Sequence, residues 1–160
     1  MAKPISFNAN AALQTARGFH YAAGRLERIH LQDGLALPNT GQDPTTYLTE
    51  MIGGAAGAVV LEALAIELVL KVRLKLAGLG HQRGHNHSIL FSALPQSEQR
   101  RAESVYQSIR HPAMRSTLAE VLEFSAGTFE KWRYMHEEVG GVQASGGEMQ
   151  KAFRALVAGL

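Results

Sequence analysis

The sequence contains no cysteine, and this absence excludes a disulfide framework, a thiolate metal site and a cysteine nucleophile. Residues 1–7 also lack the apolar segment that a signal peptide needs. Both absences fit a protein of the reducing cytoplasm, so we expect a cytoplasmic location.

An excess of charge of one sign is missing as well, since the net charge is only +2 with neutral histidines. The composition as a whole therefore does not indicate a polyanion-binding protein. Arginine nevertheless outnumbers lysine by eleven to five. This excess favours planar, bidentate contacts to carboxylate or phosphate groups.

No hydrophobic run is long and apolar enough to indicate a membrane span. The stretch 51–70 has the required length, but Glu62 and Glu67 lie near its centre. Each carboxylate costs roughly 2.5–3.5 kcal/mol or somewhat less at the centre of a bilayer. We therefore predict a buried helix here and no membrane partner.

Motifs for covalent or nucleotide chemistry are also lacking. The sequence has no Gly-x-Ser-x-Gly elbow, no phosphate-binding loop and no dinucleotide fingerprint, and Gly78-Leu79-Gly80 ends a predicted helix instead of opening one. We therefore predict no cofactor and assign no catalytic residue.

What the sequence does contain is helical periodicity, and we predict one all-α domain over residues 1–160. Apolar residues recur at three- and four-residue steps, with caps such as Asn8 or Asn10, Ser97 and Thr117 at the predicted helix starts. The expected architecture is a helical bundle of about five helices with a long central helix. The long helices are predicted over 10–31, 44–77, 98–110, 117–139 and 148–160, and a short one over 88–94.

The long central helix is predicted to have two apolar faces, which means that it has neighbours on both sides. Glu62 and Arg73 lie on a narrow line between these faces, so their burial needs partners. Glu67, Lys71 and Lys75 form an i, i+4 row that we interpret as a solvated face.

The loop that follows is rich in histidine and glycine. His81, His85 and His87 are candidate imidazole ligands of a divalent metal. The alternative is a turn in which His85 or Asn86 hydrogen-bonds the end of one helix and caps the next.

A second cluster, residues 129–138, mixes aromatic and charged side chains. Such a mixture can stack on a base and pair with a phosphate. Phe129 and Trp132 fall on the predicted core stripe, however, and Arg133 is placed to pair with Glu62 or Glu67 of the central helix. Both a structural role and a ligand contact remain open for Arg133.

Residues 61–71, followed by 84–95, resemble the middle of HEPN-like (higher eukaryote and prokaryote nucleotide-binding) proteins, where an acidic-aliphatic helix carrying a lysine runs into a Gly-His-Asp/Asn loop and a short helix. Residues 129–134 with Glu137 resemble the last long helix of some members. The resemblance implies an up-down α-helical bundle, usually a homodimer, with a cleft for RNA or nucleotide. Many members are metal-independent ribonucleases of toxin or defence systems, and others are non-catalytic partners of a nucleotidyltransferase. Here His136 follows Arg133 by only three positions, closer than in the ribonuclease members.

Three functions follow from these observations, in order of preference. The first is a non-catalytic HEPN-like module that binds RNA, nucleotide or a protein partner such as a nucleotidyltransferase or antitoxin. The small residues at 53–58 would let another backbone approach closely, either from this chain or from a second copy in a homodimer. The second is a metal-independent ribonuclease, and the third is a metal-binding bundle that uses His81, His85 and His87. The predicted ligand-binding residues are Glu62, His85, Asn86, Arg133 and His136.

Overall fold

The computed structural model describes residues 7–36, 44–79, 84–126 and 146–160. Within these ranges the chain forms six α-helices and no strand, which confirms the all-α prediction. The helices are α1 (Ala9–Ala36), α2 (Pro44–Leu76), α3 (His87–Ser92), α4 (Gln96–Ile109), α5 (Leu118–Ser125) and α6 (Gly146–Val157). No helix in this part of the chain combines the length and the apolarity needed to cross a membrane.

The first two helices form an antiparallel pair. His20 of α1 contacts Glu62 of α2, and Leu26, further along α1, lies beside Gly57, which is earlier in α2. Asn8 caps α1 by accepting a hydrogen bond from the backbone N–H of Ala11 at 3.1 Å, as predicted. Gly57, one of the small residues of α2, therefore faces α1.

Helix α2 is the centre of the bundle and packs against α1, α3 and α6. It begins at Pro44, where the fixed φ of proline suits the first helical position. Ile66, Val69, Leu70 and Leu74 are completely buried on different sides of the helix. The predicted central helix with two apolar faces is confirmed.

Helices α3 and α4 meet at Pro95, and one predicted cap is wrong here. The N-cap of α4 is Pro95, whose carbonyl accepts from the backbone N–H groups of Glu98 and Gln99. Ser97, the predicted cap, lies inside the first turn instead. The proline explains the difference, because its restricted φ already sets the backbone for the turn that follows.

Helix α5 starts as predicted and ends earlier. The hydroxyl of Thr117 accepts from the N–H of Glu120 at 3.2 Å, and the Glu120 carboxylate accepts from the N–H of Thr117 at 2.7 Å, which completes the capping box. The predicted uninterrupted helix from 117 to 139 is wrong, since the helix ends at Ser125 and the backbone becomes extended at Ala126. Gly127 follows immediately and has a low helix propensity. Residues 127–145 lie outside the described residues.

Helix α6 closes the core. It packs on α2, α4 and α5, and its inward residues Met149, Ala152, Phe153 and Leu156 are buried as predicted. Its direction is antiparallel to α4, because Arg101 lies against Gly159 whereas Tyr106, later in α4, bonds Glu148 at the start of α6.

Candidate functional site

Glu62, the first predicted ligand residue, is bound to a histidine of α1. Its two carboxylate oxygens lie 2.8 and 3.0 Å from Nδ1 of His20, and the residue is only 1% exposed. The His20 ring stacks on Phe153 of α6, with ring centroids 4.2 Å apart. Burial raises the pKa of the Glu62 carboxyl, and the hydrogen bond from His20 opposes that rise. His20 therefore links three helices, since it bonds Glu62 of α2 from α1 and stacks on Phe153 of α6.

Glu67 lies on another side of α2, about 140° around the helix from Glu62. Its carboxylate accepts from Lys71 Nζ at 2.7 Å and lies 2.9 Å from Nδ1 of His85. Burial acts to raise the pKa of Glu67, but the hydrogen bonds from Lys71 and His85 outweigh it and lower the pKa. The interpretation of this row as a solvated face is wrong for Glu67 and Lys71, whose paired side chains are each only 10% exposed, whereas Lys75 is exposed.

The loop residues after His85 have structural partners. Asn86 is the N-cap of α3 and accepts from the backbone N–H of Ile89 at 3.1 Å, which confirms that this loop caps the next helix. His85 bonds the side chain of Glu67 and not the end of α2. His87 is buried, and its Nδ1 lies 2.8 Å from the hydroxyl oxygen of Ser125 in α5. Burial lowers the pKa of His87 to about 4, although the negative charge of Glu67 opposes this. Its imidazole is therefore neutral at pH 7.

These contacts bear on the predicted metal site. His85 is bonded to Glu67, His87 is bonded to Ser125, and His81 lies outside the described residues. Within the described ranges, no three histidine, aspartate or glutamate side chains are grouped so that they could hold a metal ion.

The remaining predicted site residues, Arg133 and His136, also lie outside the described residues. The predicted pairing of Arg133 with Glu62 or Glu67 therefore stays a prediction. The structure does not bring Glu62 and His85 into one hydrogen-bonded cluster, since the first is held by His20 and the second by Glu67. Ligand binding by these residues stays a prediction.

Two further buried polar groups are fully engaged in the fold. Arg73 donates from Nε to the carbonyl of Leu156 at 2.6 Å and from Nη2 to that of Ala158 at 2.9 Å, and it pairs with Glu98. These bonds satisfy carbonyls at the C-terminal end of α6, which explains how a charged residue is buried in α2.

The second group links α4 to α6. The Tyr106 hydroxyl donates to Glu148 at 2.5 Å, and Lys151 donates to the same carboxylate at 2.6 Å. Burial, with a contribution from Glu148, raises the pKa of Tyr106 to about 12. Like Arg73, this cluster holds the last helix in place.

Two surface depressions accompany these groups. One, of about 380 Å³, lies beside Arg73 and is lined by Glu98, Arg101 and Leu160 among others. The other, of about 300 Å³, is lined mainly by apolar side chains, including Met114, Phe124 and Met149. Neither contains a predicted site residue.

The outer surface of α1 carries a different kind of feature, which we name the arginine–tyrosine stripe: Arg17, Tyr21, Arg25 and Arg28. All four residues are exposed, and successive members are four, four and three positions apart, which places them on one face of the helix. The Tyr21 side chain is 65% exposed. None of the three arginines forms an ion pair with any side chain that the structure describes.

Acidic residues do not neutralise the stripe within α1. Glu27 is the single acid among residues 9–29, and its carboxylate accepts from Gln150 of α6, towards the protein. The alignment of these arginines with Tyr21 was not identified from the sequence. The i, i+4, i+8, i+11 spacing of the four residues was the available signal.

Comparison of the chain with protein-family models, curated proteins and solved structures gives no match. The resemblance to HEPN-like proteins therefore stays a prediction.

Proposed function

We propose that this chain is a non-catalytic helical module that binds RNA through the arginine–tyrosine stripe of α1. The observation that carries the proposal is the alignment of three exposed arginines, without ion-pair partners, on one helix face. Guanidinium groups bind phosphate oxygens bidentately, and phosphate contacts supply most of the affinity for a nucleic acid. The HEPN-like up-down bundle and the homodimer predicted from the sequence are kept as parts of this proposal.

Arg73 of α2 differs from the three stripe arginines in its surroundings. Arg73 is buried and committed to two carbonyls and Glu98, so it is not free for a ligand. The stripe arginines instead extend over three helical turns, a length of about 16 Å. A row of this length suits several consecutive phosphates better than a single small anion.

Binding without catalysis fits the partners of the histidines. Each histidine side chain that the structure describes is hydrogen-bonded within the protein: His20 to Glu62, His85 to Glu67, His87 to Ser125, and His111 to a backbone N–H. Histidine is the side chain that most often serves as general acid or base, and for cleavage of RNA it has to reach the scissile phosphate. None of these four lies on the stripe.

The test is fluorescence anisotropy of a labelled single-stranded RNA with the full chain. Replacing Arg17, Arg25 and Arg28 together by glutamate is expected to weaken binding more than ten-fold. It is also expected to reduce the slope of log affinity against log salt by about two, at about 0.7 per lost phosphate contact.

The matched control carries three charge reversals at exposed basic residues elsewhere, Lys75→Glu, Arg100→Glu and Arg115→Glu. This variant has the same net charge as the stripe variant. Equal loss of affinity in both variants would mean that overall charge and not the stripe attracts RNA. A wild-type chain that binds no RNA at low salt would overturn the proposal.

Two measurements on the same samples address the other parts of the proposal. A denaturing gel of the bound RNA is expected to show intact RNA, and cleavage would favour the ribonuclease alternative. Sedimentation equilibrium is expected to give the mass of a dimer, for which the exposed small residues Gly53 and Ala55 of α2 allow close approach. A monomer mass would remove the dimer from the proposal and leave RNA binding untouched.

A further inference from the structure

We infer that the arginine–tyrosine stripe is a site for single-stranded RNA, in which Tyr21 stacks on an unpaired base while Arg17 and Arg25 hold the phosphates on either side. The inference rests on the proposed function and names the form of RNA that the site takes. Its starting observation is the position of Tyr21, which is the most exposed of the large hydrophobic side chains that the structure describes.

The Tyr21 side chain is exposed and is not engaged within the described part of the fold. Its ring is not part of the buried core, and none of the hydrogen bonds among the described residues involves its hydroxyl. Exposure of an aromatic ring to water is unfavourable, because apolar area in water costs free energy. A stacking partner would remove much of that area from water.

The Tyr21 ring has an arginine on each side of it along the helix. Arg17 lies four residues before Tyr21 and Arg25 lies four residues after it. Along the helix axis, the Cα atom of each arginine is therefore about 6 Å from the Cα atom of the tyrosine. Aromatic rings alternating with cations are how proteins hold single strands: the cations track the backbone and the rings stack on bases. Arg28 extends the row of cations by one further turn.

A duplex does not fit this arrangement. The bases of an A-form helix are stacked inside it, and its major groove is too deep and narrow for side chains to read. A ring that projects from the middle of a cationic helix face therefore meets backbone in a duplex, whereas it meets a base in a single strand. The aromatic ring thus adds affinity only for an unpaired strand.

An acidic protein segment is the competing occupant, because its carboxylates also pair with arginines. It offers no planar base on which the Tyr21 ring could stack, however. Phosphates spaced along a nucleic-acid strand pair with the row of arginines as well as carboxylates do. The base-stacking role of Tyr21 is what separates the two occupants in an experiment.

The experiment compares anisotropy of a labelled single-stranded RNA and of a fully paired RNA hairpin with the same length and composition. The wild-type chain is expected to bind the single strand more tightly. Tyr21→Ala is expected to weaken single-strand binding roughly 5- to 150-fold, the range for loss of one base–aromatic stack, and to leave hairpin binding nearly unchanged. Tyr21→Phe, which keeps the ring, is expected to bind like the wild type.

Tyr21→Leu is the decisive control, because leucine is apolar but has no ring to stack. It is expected to behave like Tyr21→Ala, and wild-type affinity in Tyr21→Leu would contradict stacking. Since Tyr21 is exposed, all three variants are expected to keep the wild-type circular dichroism spectrum.

The outcomes separate this inference from the function on which it rests. If the hairpin binds as tightly as the single strand, or Tyr21→Ala has no effect, while the arginine variant loses binding, the inference is wrong and the proposed function stands. If no RNA binds, both fall. Competition by polyglutamate as effective as competition by unlabelled single-stranded RNA would assign the stripe to an acidic protein and overturn the inference.

Discussion

Acidification from pH 7 to pH 4 is expected to destabilise this protein through one buried imidazole, that of His87. The residue is 3% exposed, and its Nδ1 is hydrogen-bonded to Ser125. Its pKa is about 4 in the folded chain, against 6.5 for an unperturbed histidine. Between these two values the unfolded chain binds a proton that the folded chain does not.

The size of the effect follows from this difference in pKa. A depressed folded-state pKa means that the stability linked to neutral His87 is fully present above about pH 6.5 and is lost as the pH falls through about 4. The slope is about 1.4 kcal/mol per pH unit, so the total loss is about 3 kcal/mol. This is a large share of the 5–15 kcal/mol that is typical for a domain.

Urea unfolding at a series of pH values measures the loss. Other groups titrate in the same range, including Glu62 and Glu67, so the informative quantity is the difference between the wild type and His87→Asn. Asparagine can keep a hydrogen bond to Ser125 but cannot be protonated. The stability advantage of the wild type over the variant is expected to shrink by about 3 kcal/mol between pH 7 and pH 4.

A control substitution at an exposed histidine, His111→Asn, is expected to leave the pH dependence almost unchanged. If the wild type and His87→Asn lose stability in parallel between pH 6.5 and 4, then a buried neutral His87 is not the cause and the reasoning fails.

Three further predictions concern stability and are measured by urea unfolding at pH 7. Arg73→Met is expected to cost about 3 kcal/mol, because buried carbonyls such as that of Leu156 lose a charged donor; a cost below about 1 kcal/mol would show that water replaces the guanidinium. Thr117→Ala is expected to cost about 1 kcal/mol through loss of the capping box, whereas Ser97→Ala, at the predicted cap that does not cap, is expected to be nearly neutral; equal costs would refute the assignment. Gly159→Ala is expected to destabilise by about 1 kcal/mol, since φ is +83° and only glycine adopts this conformation without strain, whereas the guanidinium of Arg101 next to it can move aside; unchanged stability would mean that the chain end rearranges freely.

The helices and much of the core could be predicted from the sequence because they depend on local rules. Periodicity identified α2 as the central helix, and residues such as Leu70 and Leu156 lie in the core where the apolar pattern put them. Caps were predictable for the same reason, as Asn8 and Thr117 illustrate, since a cap acts on backbone groups two or three positions away.

The partners of the buried polar residues could not be predicted, because they lie far apart along the chain. Glu62 accepts from His20, which is 42 positions away, and His87 bonds Ser125, 38 positions away. Periodicity says that such a residue is buried but does not say which neighbour faces it. For this reason the sequence directed attention to Glu62 and the histidine loop, whereas the free cations of α1 became apparent only when the partners of the other charges were known.

The hydrogen bonds of Arg73 also have a consequence for how the chain folds. They join positions 83 and 85 residues apart, whereas α1 and α2 are neighbours in sequence and pair as a hairpin. Contacts that close long loops form late, because the chain loses conformational entropy when the loop closes, before the contact contributes any stabilisation. During synthesis, α2 therefore leaves the ribosome well before α6. Until α6 has been made and has docked, the guanidinium group of Arg73 stays hydrated. We expect the docking of α6 to be the step that limits the rate of folding.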